Sequence, residues 1–237
     1  MFGSFNLDKT YQFLIISLAF LLPLTVFGAN LVIVLICTLW LISGEYKSKY
    51  DQIIKNKLML ASITFYCIHI FGLIWTENLS WGLHILHKMW YFIGLLPILY
   101  TLVKKENIEY YIYAFLVSIL LSIVSSFLIL FELINSFETF IIQFFEAKFG
   151  VVIHQFEYTP YMSSVSFNPI LAFAIYLVLH EIFFNKKNSR LKTYLYSFFS
   201  ISMIINMFMT NGRAGQVAFL VVLIIIIFQF FNNKKIK

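Results

Sequence analysis

A short polar corner at Thr210–Gln216 joins two long apolar runs, and Arg213 is the one charged residue in it. A guanidinium stays charged and offers its N–H donors in a planar fork, which suits a phosphate or a diphosphate. Gly212 and Gly215 would let the backbone approach such a ligand closely. A helix expected to begin near Ala214 would direct its N-terminal amides and its dipole at the same place. The alternative is that Arg213 only reaches for lipid headgroups at the end of a helix.

A second group of polar side chains, His84, His87 and Lys88, stands at the entry to an earlier apolar run. The ammonium group of Lys88 is a candidate for a second contact with a bound phosphate. The two histidines are three residues apart and share a helix face, but no carboxylate stands at a familiar ligand spacing beyond Glu77. Histidine is also an ordinary residue at a membrane interface, so we expect no metal site here.

The largest polar segment, residues 135–162, contains the third candidate pair, His154 and Glu157. Either side chain could act as a general base for a sugar hydroxyl if a donor were bound near by. The alternative is a solvated loop without a catalytic role. The sequence contains no P-loop, zinc motif or dinucleotide fingerprint, so no cofactor is expected.

The composition is that of a membrane protein. Of the 237 residues, 61% are hydrophobic and 12% are charged, and the mean hydropathy is +0.86, whereas a soluble domain carries about 25% charged residues. Several runs approach or exceed the roughly 18 apolar residues that mark a spanning helix. The net charge of +6 comes from short lysine clusters between these runs. Such clusters orient a protein and contact membrane lipid, so no nucleic-acid partner is expected.

Eight apolar runs predict an all-α, polytopic transmembrane helical bundle that forms a single domain. They are residues 11–27, 31–42, 58–75, 90–103, 110–133, 163–184, 194–209 and 214–231. The first two, separated by Gly28, Ala29 and Asn30, are short for a hydrocarbon core of about 30 Å. They are therefore either two tight spans or a re-entrant hairpin. Residues 79–89 are expected to form an interfacial helix that leads into the fourth span.

The distribution of basic residues predicts the topology, because loops rich in Lys and Arg stay in the cytoplasm. The rich segments are 44–57, 104–109, 185–193 and the C-terminal tail, and the poor segments are 76–89, 135–162 and 210–216. Rich and poor segments alternate along the whole chain, so both termini are expected to be cytoplasmic. Lys88, His154, Glu157 and Arg213 would then share the outer face of the membrane.

The polar corner also carries a family resemblance. Residues 209–215, Met-Thr-Asn-Gly-Arg-Ala-Gly, open a very apolar helix and resemble the Thr-x-Ser-Arg-Gly/Ala signature of the O-antigen ligase and polymerase superfamily. Residues 73–78, followed by Trp81 and Lys88, are similar to that family's third-span exit and fourth-span entry. Residues 158–172 resemble the stretch that leads into its sixth span. The chain departs from the signature at Gly212, where the family commonly has Ser.

The resemblance implies a GT-C-like glycosyltransferase of the bacterial inner membrane that uses no metal. Its donor would be an undecaprenyl-diphosphate-linked glycan, its acceptor lipid A-core or another lipid-linked glycan, and Arg213 would hold the donor diphosphate. Family members usually continue into a large periplasmic loop with further Arg and catalytic His residues, so the resemblance implies an incomplete member.

Two other classes stay open, a small-solute transporter or flippase-like carrier and a non-enzymatic assembly subunit. Carriers usually place charges or broken helices at mid-membrane. The apolar runs of this chain are nearly free of charge, which favours chemistry at the membrane surface.

Overall fold

The computed structural model of this protein is helical in its regular structure wherever the chain is described, namely at residues 7–131, 161–185, 189–210 and 212–235. Single 3₁₀ turns lie at Leu73–Trp75, Trp90–Phe92 and Lys105–Asn107. The α-helices are α1 (Leu7–Leu21), α2 (Val26–Ile42), α3 (Tyr46–Lys55), α4 (Lys57–Gly72), α5 (Leu79–Lys88), α6 (Leu95–Leu102), α7 (Ile108–Leu130), α8 (Ser164–Phe184), α9 (Arg190–Met209) and α10 (Arg213–Lys235).

Several of these helices are long and apolar enough to cross a membrane. In the described ranges there are four, at Lys57–Trp75, Lys105–Leu130, Ser164–Phe184 and Arg213–Asn232. Two bent pairs raise the number to six if each pair is one span. These are α2 with α3, bent by 116°, and α5 with Trp90–Leu102, bent by 44°. The chain is therefore a helical membrane protein, whereas the predicted number of eight spans stays a prediction.

The first two helices meet earlier than the sequence predicts. Gly28, Ala29 and Asn30 lie inside α2, and the chain turns instead around the fully buried Pro23. Proline has no backbone N–H to donate and disfavours helical geometry at the residue before it, so it ends α1. Glycine is common in membrane helices, which is why Gly28 does not break α2.

The basic segment that the sequence assigns to a loop, residues 44–57, contains α3. Gly44 and Glu45 both adopt left-handed backbone conformations, with φ of 69° and 54°, and they turn the chain sharply between α2 and α3. At the other end of α3, Asn56 caps α4. Its Oδ1 accepts hydrogen bonds from the backbone N–H groups of Leu58 and Met59, which satisfies two amides that the helix itself leaves unpaired.

The chain forms two compact units. The first comprises Met1–Leu18 and Phe27–Ile112, and the second comprises Ala19–Val26 and Tyr113–Lys237. In the second unit α8 packs most extensively against α10 and next against α9. Most of its core side chains come from four helices, and Met162, just before α8, adds to them. The large ones on the helices are Phe115, Ile119, Ile123, Phe167, Leu171, Ile175, Val178, Met203, Met207 and Phe219.

Apolar burial alone does not hold membrane helices together, because lipid tails are as apolar as leucine. In a bilayer, helix association is stabilised by close packing at small residues and by hydrogen bonds between helices. The second unit has both kinds of contact where α8 meets the junction of α9 and α10, and that junction is the polar corner around Arg213.

Candidate functional site

One buried amide on α8 holds the corner between α9 and α10. The side chain of Asn168 is 0% exposed, and its Nδ2 lies 2.8 Å from Thr210 Oγ1, 3.2 Å from the Gly212 carbonyl and 3.4 Å from the Met207 carbonyl. An amide nitrogen has two hydrogens, so these three acceptors share them. The last turn of α9, Thr210 directly after it and Gly212 directly before α10 are thereby fixed to the same side chain.

Thr210 is the other half of this contact. Its side chain is 2% exposed, and its hydroxyl lies 3.0 Å from Asn168 Oδ1 and 3.1 Å from the Met207 carbonyl. A hydroxyl has one proton, so it donates to one of these oxygens at a time while it accepts from Nδ2. The threonine predicted as part of a family signature is therefore a structural residue of the corner.

Gly212 and Gly215 allow the corner to approach α8. Both are buried. A Cβ atom added at Gly215 would lie 2.5 Å from the backbone carbonyl carbon of Asn168, and one added at Gly212 would lie 2.5 Å from the backbone oxygen of Ser164. Only glycine fits at such distances. The structure thus gives both glycines a packing requirement against α8, and their expected role beside a ligand stays a prediction.

Arg213 is the first residue of α10, a 23-residue helix, and its side chain is exposed. The first turn of α10 carries no acidic residue, and no ion pair of Arg213 occurs within the described ranges. The N-terminus of a helix carries the positive end of its dipole, where a cation is unfavourable and an anion is stabilised. A bound anion would therefore interact favourably with both the guanidinium and the helix end.

Lys88 has the opposite electrostatic setting. It is the last residue of α5, exposed and adjacent to His87 in the last turn. The C-terminal end of a helix carries the negative end of the dipole and favours a cation. A lysine at this position is therefore explained by its favourable interaction with the helix dipole. The expected contact of Lys88 with a phosphate stays a prediction. Lys88 belongs to the first unit, whereas Gly212, Arg213 and Gly215 belong to the second.

The predicted catalytic pair, His154 and Glu157, lies outside the described residues, which stop at Phe131 and resume at Tyr161. The phenol of Tyr161 lies 3.0 Å from the Ser125 hydroxyl of α7. Within the described part of the chain, no three His, Cys, Asp or Glu side chains come together as a metal site would require.

The structure also shows a row of buried polar groups that was not predicted from the sequence. Ser118, Ser122 and Ser126 follow one face of α7 at intervals of four residues, and all three are buried. Asn206 of α9 donates from Nδ2 to Ser126 Oγ at 2.6 Å. This contact ties α7 to the last turns of α9, just before the corner. The spacing of the serines was the available signal, because residues four apart share a helix face.

Comparisons with protein-family models, with curated proteins and with solved structures found no match to this chain. Its relation to the O-antigen ligases and polymerases therefore stays a resemblance, carried by short motifs.

Proposed function

We propose that this chain is an O-antigen ligase-like or polymerase-like glycosyltransferase, and that Arg213 binds the diphosphate of an undecaprenyl-diphosphate-linked glycan. One observation carries the proposal: an exposed arginine lies at the positive end of the α10 dipole, without an ion-pair partner among the described residues. Lipid diphosphate is an anion whose polyprenyl tail stays in the bilayer, beside a helix of spanning length.

The chemistry follows from the leaving group. Transfer of the glycan breaks the bond between the anomeric carbon and the diphosphate, and the diphosphate leaves with additional negative charge. A guanidinium binds two phosphate oxygens at once, and fixed positive charge stabilises the charge that develops in the transition state. In this proposal His154 or Glu157 removes the proton from the acceptor hydroxyl. The acceptor is lipid A-core or another lipid-linked glycan.

The proposal includes an architecture and a location. It places eight spans in a GT-C-like bundle in the bacterial inner membrane, with both termini in the cytoplasm and Arg213 at the periplasmic face. The lysine-rich segments support this orientation. The spanning length of Arg213–Asn232 is consistent with a position of Arg213 at one edge of the bilayer, and the charge distribution alone assigns that edge to the periplasm.

A binding experiment tests the diphosphate site without requiring turnover. The full chain in lipid nanodiscs is titrated with undecaprenyl diphosphate and, in parallel, with undecaprenyl monophosphate. Hydrogen bonds to charged groups contribute about 1.5–3 kcal/mol, so Arg213→Ala should weaken diphosphate binding by roughly 10- to 100-fold. Arg190→Ala is the matched control, because Arg190 is the chain's other arginine and is also the exposed first residue of a helix.

Two further results separate specific recognition from simple charge attraction. Arg213→Lys should bind diphosphate less well than the native chain, because a point charge cannot reproduce the planar fork. Glycan transfer in a cell that lacks its own ligase should be lost in Arg213→Ala and kept in Arg190→Ala. Equal diphosphate binding by the native chain and Arg213→Ala, with normal insertion of both, would refute the proposed site.

A further inference from the structure

α3 presents an uncovered apolar face. Tyr46, Tyr50 and Ile54 stand four residues apart on one side of the helix, and they are 53%, 62% and 40% exposed. Residues at this spacing form one continuous surface strip. Three large apolar side chains in a row on a ten-residue helix therefore need a partner that removes them from water.

The side of α3 next to this strip, about 100° round the helix axis, is polar. Lys47, Asp51 and Lys55 are exposed and also follow one another at intervals of four residues. A shallow polar groove runs along this side, lined by Glu45, Lys47, Ser48, Asp51, Gln52 and Lys55. The helix is thus divided lengthwise into an apolar strip and a charged strip, and this division is typical of helices that lie in a membrane surface.

Lys49 fixes which strip faces outward. It is 9% exposed, and its Nζ donates to the Trp40 carbonyl at 2.9 Å and to Ser43 Oγ at 2.6 Å. The same ammonium lies 4.6 Å from the centre of the Trp40 ring, within the range of a cation–π contact. Lys49 therefore joins α3 to the C-terminal turn of α2. Because this contact sets the rotation of α3 about its axis, the exposure of Tyr46, Tyr50 and Ile54 is a fixed feature of the fold.

From this geometry we propose that α3 lies flat in the interface of the bilayer, with Tyr46, Tyr50 and Ile54 among the lipid chains and headgroups. The charged strip then faces water. The partner of the apolar strip is the lipid surface itself. This assigns the bent pair of α2 and α3 as one membrane helix followed by one surface helix, rather than as a single broken span.

The neighbouring helices support a lipid partner over a protein partner. α2 precedes α3 with a bend of 116°, so α3 runs across the direction of α2. After Asn56 the chain continues into Lys57–Trp75, a helix of spanning length. A segment that is bent away from the first of two membrane helices and leads into the second stays near the membrane surface, where the first helix ends and the second begins. Tyrosine is enriched at that depth because its ring is apolar and its hydroxyl is polar.

The test is a depth measurement along α3 in the full chain. Cys37 and Cys67 are replaced by alanine, and single cysteines are introduced at positions 46, 50 and 54 and at positions 47, 51 and 55. Each is labelled with a nitroxide in nanodiscs of phosphatidylcholine and phosphatidylglycerol. Collisions with oxygen, which concentrates in lipid, and with a water-soluble nickel chelate are then compared. Positions 46, 50 and 54 should favour oxygen at least several-fold over positions 47, 51 and 55.

Three results would overturn the proposal. Equal access of nickel to all six positions would place α3 in water, and equal access of oxygen to all six would place it inside the bilayer. Shielding of positions 46, 50 and 54 from both reagents would mean that protein covers the strip, either a second copy or another segment of the chain.

A second measurement avoids the loss of the native rings. Tyr50→Trp retains an aromatic side chain, and brominated lipids should quench the fluorescence that it adds to the native protein. Lys47→Trp is the matched control, and its added fluorescence should be quenched by aqueous iodide instead. The reverse pattern, or quenching of both by the same reagent, would contradict a flat surface helix.

Discussion

The hydroxyl of Thr210 lies 2.8 Å from Nδ2 and 3.0 Å from Oδ1 of Asn168, a residue 42 positions earlier in the chain. This pair of contacts joins α8 to the point where α9 ends, three residues before Arg213. The position of the candidate anion-binding side chain therefore depends on an amide that bonds to Thr210 and to the carbonyl of Gly212, the residue just before Arg213.

Replacing Thr210 separates the role of its hydroxyl from the role of its shape. Thr210→Val keeps the branched side chain but removes the partner of both Asn168 atoms. We expect the free energy of unfolding to fall by about 0.6–1.7 kcal/mol, from the average to the maximum found for hydrogen bonds between membrane helices. Thr210→Ser keeps the hydroxyl and should lose less. Unfolding in mixed micelles with increasing dodecyl sulfate measures both. Equal losses in the two variants would show that packing, not hydrogen bonding, matters at this position.

The glycines of the corner make a sharper prediction. In Gly215→Ala the new methyl group would overlap the backbone of Asn168, so we expect a loss of about 1–3 kcal/mol, as for overpacked cores. Gly72→Ala is the control, because no atom lies within 4 Å of a Cβ at that helical position. There alanine should be neutral or stabilising, since it favours a helix by about 1 kcal/mol over glycine. A stable Gly215→Ala would mean that α8 and α10 are not in close contact.

The charges at the two helix ends predict substitutions of opposite sign. Arg213→Asp places a carboxylate at the positive end of the α10 dipole, and we expect it to raise stability by about 0.3–1 kcal/mol at low ionic strength while diphosphate binding is lost. Lys88→Asp reverses a favourable cation at the negative end of α5 and should lower stability by a similar amount. Both effects should shrink in high salt, because exposed charges are screened. Melting temperatures at two salt concentrations provide the comparison.

Lys49 and Lys47 form a matched pair on α3. Lys49→Met keeps most of the apolar stem but leaves the Trp40 carbonyl and Ser43 Oγ without the ammonium, so we expect a loss of about 1–3 kcal/mol. Lys47→Met changes an exposed residue of the polar groove and should stay within about 0.5 kcal/mol of the native protein. The same dodecyl sulfate titration tests both. If Lys47→Met were the more damaging change, the contact of Lys49 with the end of α2 would not stabilise the fold.

The positions of several helices could be predicted from local sequence patterns. Long apolar runs indicated membrane helices, and the polar corner placed the start of the last helix within one residue of its observed position at Arg213. The lead-in at residues 79–89 is also helical, as α5. Each of these features depends on side chains that are neighbours in sequence, and composition and periodicity report on such neighbours directly.

Contacts between distant segments could not be predicted in this way. Asn168 appears in the sequence as one polar residue in an apolar run, and nothing near it indicates that Thr210 and Gly212 are its partners. The requirement for glycine at positions 212 and 215 could not be predicted for the same reason. The atoms that exclude a Cβ there belong to α8, which is distant in sequence. Residues 44–57 were predicted to be a loop because they contain many charges. The four-residue spacing of Tyr46, Tyr50 and Ile54 nevertheless indicates a helix.

The buried amine of Lys49 gives the first unit a built-in chemical reporter. Acylating reagents attack neutral amines that they can reach, and Lys49 is enclosed while Lys47 is open. Burial also lowers the pKa of Lys49, although the negative charge of Glu45 acts in the opposite direction. Once the enclosure opens, burial no longer lowers the pKa of Lys49, so its reactivity should rise from near zero toward that of the exposed Lys47. Peptide mass mapping would give the ratio of modification at Lys49 to that at Lys47. In living cells this ratio would report how often α3 separates from the C-terminal turn of α2.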